Sequence, residues 1–212
     1  MRLVHWAVAI AFLGLLGTGL ALGNAELRGI PFLGSKLIRE LHLTCGVLLL
    51  VLPAVAASWD GFIQVRDMWS EAVHFDNSDR HWLAAIAERL KSRSSETPPA
   101  GFFNAGQKLN LIVLLTLALG LALTGALLAP LGPSPIPAAV RELVYPLHVV
   151  LAYCTIPLLV AHVLLATVVP GTRESLRGIV FGSVKREWAR THHARWLASL
   201  EKAPCDTHLT QH

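Results

Sequence analysis

The chain has 212 residues, 53% of them apolar and only 15% charged, and its mean hydropathy is positive. An ordinary soluble domain carries about 25% charged residues, so this composition points to a membrane protein. The formal net charge of +4 gathers at the ends of apolar runs and builds no compact basic domain, which argues for membrane topology and against nucleic-acid binding.

In chain order, charge-free runs cover 3–25, 41–59, 109–140 and 143–172. A bilayer-crossing helix needs about 20 apolar residues, so four spans fit, at about 3–25, 38–59, 107–129 and 141–170. The first run follows Arg2 and ends in small residues, as a secretory signal does. It is longer than a signal core, however, and a histidine near its start has no use in a peptide that is discarded. A short loop rich in Gly and Pro leads to the second span. The segment 60–106 is too polar to cross a membrane. Within it, Ala84, Ala85, Ile86, Ala87 and Leu90, with Arg89 and Lys91 opposite, predict a surface helix, ended by "SSETPP". In the third run Pro130, Pro133, Pro135 and Pro137 lack the amide donor that a helix interior uses, so its helix should stop near Ala129. The tail, 171–212, interleaves aromatic and basic residues and predicts an interfacial helix with Trp188 and Trp196 near the lipid headgroups. No internal repeat is visible. Cys45, Cys154 and Cys205 have no paired spacing, so neither a disulfide framework nor a zinc knuckle is indicated.

The expected fold is therefore an all-α membrane protein, a four-helix transmembrane bundle with interfacial helices, forming a single domain over 1–212. Basic residues near span ends stay on the cytoplasmic side. Fourteen of the eighteen Lys and Arg residues fall on the N-terminus, the 59–108 segment and the tail, against Arg28, Lys36, Arg39 and Arg141 on the other side. That asymmetry places both termini in the cytoplasm.

Ionisable residues within membrane spans are costly and mark functional sites. His5, His42, His148 and His162 meet that description. His148 and His162 are fourteen residues apart, about 21 Å along a helix at 1.5 Å per residue, and fourteen steps of about 100° return almost to the same face. With alternating helix directions, His42 pairs with His148 toward the outside, and His5 with His162 toward the inside. Facing imidazoles at two depths form the ligand set for two six-coordinate haems. A Cys-x-x-Cys-His attachment motif is absent, so the haems would be b-type. Glycines at 14, 17, 19, 46, 120 and 125 allow close backbone approach, either to a macrocycle or to a neighbouring helix. Arg39 and Arg141 are candidate partners for haem propionates. His74, His81, His192 and His193 read as solvated surface. Asn104, Gly106 and Gln107 stand at the mouth of the third span, where Asn104 reads as a helix cap.

"RLVHW" opening the first span, "ELH" entering the second, "GFFNAGQK" before the third, the His148 to His162 spacing and "WARTHHARW" in the tail together resemble the gamma subunit of respiratory formate dehydrogenase. That family is a di-haem cytochrome b with four transmembrane helices, and the resemblance covers nearly the whole chain. It implies haem iron held by His5, His42, His148 and His162, and quinone bound beside His162 and Asn104, where Asn104, Gly106 and Gln107 place amide groups that can hydrogen-bond a quinone carbonyl. It further implies an iron–sulfur subunit and a molybdenum or tungsten catalytic subunit at the outer face, within a bacterial inner membrane. Electrons would then pass from the outer haem to the inner one and on to quinone at the cytoplasmic side. The histidine pattern alone also occurs in cytochrome b subunits of nickel–iron hydrogenases. A histidine-dependent transporter is a reading of a different class, but it would need intramembrane carboxylates, and the charge-free runs contain none.

Overall fold

The computed structural model describes residues 2–24, 26, 35–56, 58, 62–92, 98–129, 136–169 and 171–202. Among these residues there are nine α-helices and no strand: α1 (Arg2–Gly23), α2 (Ser35–Ala56), α3 (Phe62–Val73), α4 (Asn77–Ser92), α5 (Ala105–Leu128), α6 (Ala138–Thr167), α7 (Glu174–Phe181), α8 (Arg186–His192) and α9 (Ala194–Lys202). Helices α1, α2, α5 and α6 are long and apolar enough to cross a membrane, and only 6 to 11% of their apolar windows is buried within the protein. Leu13, Leu48, Leu119 and Val150 are among the large side chains left exposed on them. Surfaces of that kind require an apolar solvent on the outside.

The long helices begin before the charge-free runs do, because a helix starts where its first amides are capped and not where charge ends. Lys36, Arg39 and Glu40 lie in the first turns of α2, and Arg141 and Glu142 in those of α6. The carbonyl of Pro137 accepts the amides of Val140 and Arg141 at 3.0 and 3.1 Å and so opens α6. Helix α5 ends at Leu128, as the proline-rich stretch demands; Pro130, Pro133 and Pro135 themselves lie outside the described residues, as do Arg28, Cys205 and residues 94–97 of "SSETPP".

The chain divides into two compact units. The first comprises Met1–Arg66 and Leu114–Ala161. In it α1 and α2 lie along each other, close enough that a Cβ on Gly14 would come within 2.9 Å of Cys45 Sγ. Ala11, Ile38, Val144 and Thr155 are buried here.

The second unit comprises Asp67–Val113 and His162–His212, and polar contacts organise it. Asp76 caps α4, its Oδ1 accepting the amides of Ser78 and Asp79 at 2.8 and 3.1 Å, while Asp79 Oδ2 accepts the amide of Asp76 at 3.0 Å. This reciprocal box satisfies amides that a helix start leaves unpaired. Each carboxylate also takes a cation. Arg195 donates to Asp76 at 2.9 Å and to Ser78, which holds the Asp76 carboxyl well below the usual carboxylate range. Lys108 donates to Asp79 at 2.9 Å and to the carbonyl of His74 at 2.8 Å.

Lys108 therefore differs from the other basic residues counted for topology. Its side chain is 6% exposed and that of Asp79 7%. Removing one partner of such a pair strands a buried charge and costs about 3–5 kcal/mol. Lys108→Met should lower the unfolding midpoint of the detergent-solubilised protein sharply, and Asp79→Leu with Lys108→Met should restore most of the loss. A single variant as stable as the double would show that the pair is not shielded from water.

Among the described residues the tail forms three short helices where one was expected. Gly182 adopts φ 79°, a left-handed conformation that ends α7 and that glycine enters without a Cβ clash. His193, at φ −135° and ψ 45°, separates α8 from α9. Its ring is buried, 5% exposed, and Nδ1 donates to the carbonyl of Gly101 at 2.8 Å. Burial holds this imidazole below its ordinary pKa. The surface assignment made for His193 from sequence is thus corrected: flanking charges marked the stretch as exposed, but the helix break turns this one ring inward. The amide of Arg195 donates to Ala100 at 3.1 Å, and Trp196 meets the edge of Phe102, so the tail is tied to the chain just before α5.

Candidate functional site

His42 on α2 and His148 on α6 face each other in the first unit, with ring centroids 6.3 Å apart and planes at 77°. An imidazole nitrogen lies about 1.2 Å from its ring centre and about 2 Å from a bound first-row metal, so two rings opposed across one ion have centroids about 6.4 Å apart. The observed spacing is one at which His42 and His148 could together hold a metal ion.

The hydrogen bonds decide which nitrogens those are. Thr18 Oγ1 is 2.9 Å from His42 Nδ1, and the same hydroxyl donates to the carbonyl of Gly14 at 2.6 Å. Thr124 Oγ1 is 2.8 Å from His148 Nδ1 and donates to the carbonyl of Gly120 at 2.7 Å. A hydroxyl has one proton and a carbonyl has none, so each threonine must accept from the imidazole. Nδ1 carries the hydrogen in both rings, and Nε2 keeps the lone pair a metal needs.

Glycine makes the approach possible. A Cβ on Gly19 would lie 3.3 Å from His42 Cε1, and a Cβ on Gly125 would lie 3.3 Å from His148 Cε1. Position for position, Gly14, Thr18, Gly19 and His42 match Gly120, Thr124, Gly125 and His148, each 106 residues later (124 against 18, 148 against 42). This short repeat escaped the sequence reading because its members are scattered through leucine-rich helices. The matched 24-residue interval from threonine to histidine was the signal.

His162, on α6, belongs to the second unit, where Asn110 Nδ2 lies 3.3 Å from its Nδ1. Ligation through Nε2 calls for the isosteric amide orientation with oxygen toward Nδ1, which lets Nδ1 donate. His5 belongs to the first unit, is exposed, and stands edge-on to Trp6 at 5.6 Å. Its pairing with His162 rests on sequence. Arg39, the candidate propionate partner, is 59% exposed and lies 3.8 Å from Glu40.

Asn104, Gly106 and Gln107 lie together at the start of α5. Asn104 Oδ1 accepts the amide of Gln107 at 2.9 Å, and Gln107 Oε1 accepts the amide of Asn104 at 2.9 Å, a capping box like that of α4. Both amide oxygens are used by the box, and the NH2 ends are the donors on offer to a carbonyl. Gly106 lies against Trp82, whose ring carbons would be 3.0 and 3.1 Å from an added Cβ. Among the described residues no group of three or more His, Cys, Asp or Glu side chains forms a further metal site.

A family model described as prokaryotic cytochrome b561 matches residues 1–182. The nitrate-inducible formate dehydrogenase cytochrome b556(Fdn) subunit of Escherichia coli (strain K12) is 28% identical over 212 residues, covering 95% of this chain and 89% of that protein. The formate dehydrogenase cytochrome b556 subunit of Haemophilus influenzae is 26% identical over 206 residues, covering 92% of this chain and 78% of that protein. Because the family match takes in all four long helices and the histidines on them, this chain belongs to the prokaryotic cytochrome b561 family.

Proposed function

We propose that the chain is the membrane-anchoring di-haem subunit of a formate dehydrogenase complex, passing electrons from an outer-face iron–sulfur subunit to quinone at the cytoplasmic side of the bacterial inner membrane. Membership of a cytochrome b family makes it a haem-carrying electron-transfer protein of a bacterial membrane. The single observation behind the finer reading is the opposed pair His42 and His148, spaced for an iron and hydrogen-bonded so that both Nε2 atoms are bare.

In this reading His42 and His148 hold the outer haem, and His5 and His162 the inner one. Haem supplies reversible one-electron chemistry when bound. The apolar helix faces exclude water around the macrocycle, and Gly19 and Gly125 leave room beside the ligating rings. Near the inner haem, Asn104 and Gln107 point amide donors at a quinone carbonyl, with Gly106 keeping the backbone close. Both chain termini face the cytoplasm, and a molybdenum or tungsten catalytic subunit docks with the iron–sulfur subunit on the outside. The similarity to formate dehydrogenase subunits over nine-tenths of the chain supports formate as the electron source.

Pyridine extracts of the purified chain should contain two haems b per polypeptide, and formate should reduce both in membranes that contain the whole complex. One haem per chain would sink the di-haem reading. Two haems that formate leaves oxidised would sink the assignment of the donor.

A further inference from the structure

We propose that Thr18 and Thr124 are positioning residues for the haem held between His42 and His148, and that together they lower its reduction potential. The inference rests on the assignment of those two histidines as axial ligands. Each threonine hydroxyl gives its proton to a carbonyl one turn back in its own helix, Gly14 or Gly120. Oγ1 then offers the imidazole only lone pairs. Nδ1–H donates to it, which fixes the tautomer and leaves the lone pair on Nε2.

The same bond changes the ligand electronically. An Nδ1–H that donates to an oxygen leaves its ring more basic at Nε2. A more basic axial ligand favours the oxidised, more positive iron, so the potential falls. The effect acts twice, because the Thr–His unit occurs on each side of the site with oxygen-to-nitrogen distances of 2.9 and 2.8 Å. His162 of the other proposed pair has an amide at the longer distance of 3.3 Å. The two short bonds make this haem a stronger reductant than it would be without them. In the proposed direction of transfer this is the haem that receives electrons first, so the threonines favour their onward passage.

The experiment is a redox titration of the full-length, haem-loaded chain carrying Thr18→Val, Thr124→Val or both. The titration component belonging to this haem is identified as the one that disappears in His42→Ala. Valine keeps the shape of threonine and removes the acceptor. Haem content should stay at the wild-type level. Each single variant should move this haem to a more positive potential by a similar amount, and the double variant should move it by about their sum, since the two bonds lie on opposite sides of the iron. The other haem should not move, and Thr18→Ser and Thr124→Ser should restore the wild-type value. Valine variants with an unchanged potential, or with both haems shifted alike, would overturn the proposal. If a valine variant loses both haems, the corresponding alanine variant is titrated in its place, and an unshifted potential there overturns it equally. His42→Ala and His148→Ala that leave both haems in place would instead refute the ligand assignment. Loss of one haem in those variants alongside inert threonine variants would refute only the role given to Thr18 and Thr124.

Discussion

His42→Ala and His148→Ala are each expected to remove one and the same haem and to leave the other bound, so that haem content falls from two per chain to about one. With His42 and His148 as the two residues that would hold one haem iron, either variant would remove half of the ligands the protein supplies, and alanine would also leave a void at the site. The pairing follows from the opposed rings, 6.3 Å apart on helices α2 and α6. It also follows from the matching Thr18 and Thr124 bonds, which occupy Nδ1 of both rings and leave both Nε2 atoms for an iron. His5→Ala and His162→Ala should remove the other haem. Optical spectra at low temperature, where the two α-bands separate, identify which component is lost. If His42→Ala and His148→Ala were to delete different components, the opposed rings would be a packing contact between helices and the ligands would have to be reassigned.

The sequence made the membrane helices legible because apolar length is a direct requirement of the bilayer, and a run without charge needs no tertiary context to be read. The histidine pair on α2 and α6 was legible for a related reason. Depth along a helix is simple arithmetic, and an imidazole in lipid demands a partner. Thr18 and Thr124 gave no such warning. A threonine within an apolar helix usually returns its hydroxyl to the carbonyl four residues back, and both do so here; only the structure shows the second bond, across to another helix. Asp79 and Lys108 were hidden in the opposite way. Charges in a polar segment read as surface, and the capping of α4 is what draws this carboxylate inward to meet the lysine at the start of α5. In the tail, an aromatic and basic pattern predicted one helix, but Gly182 and His193 break it into three, and the resulting bends bring Trp196 to Phe102 and His193 to Gly101. Such tertiary choices have no periodic signature in the chain.

Asn104 was legible as two things at once, a cap and a quinone ligand, and the structure sharpens how they are to be separated. The capping box uses the Asn104 oxygen, whereas a quinone carbonyl would use the NH2 group. Asn104→Asp keeps a cap of equal rank and removes the donor. Asn104→Leu removes both. The aspartate variant should fold with both haems, yet its haems, once reduced with limiting dithionite, should be reoxidised by added quinone about tenfold more slowly, the consequence of losing one hydrogen bond worth about 1.4 kcal/mol. Gln107→Glu, which likewise preserves the box through its carboxylate oxygen, should slow reoxidation in the same way. The leucine variant should show that kinetic loss together with a stability loss of about 1 kcal/mol from the missing cap. The two roles therefore give different patterns across the variants. A cap alone leaves Asn104→Asp and Gln107→Glu kinetically normal and harms only Asn104→Leu. A quinone contact slows all three, because each lacks an amide donor at the mouth of α5. Normal reoxidation in both carboxylate variants would move the quinone site away from Asn104 and Gln107.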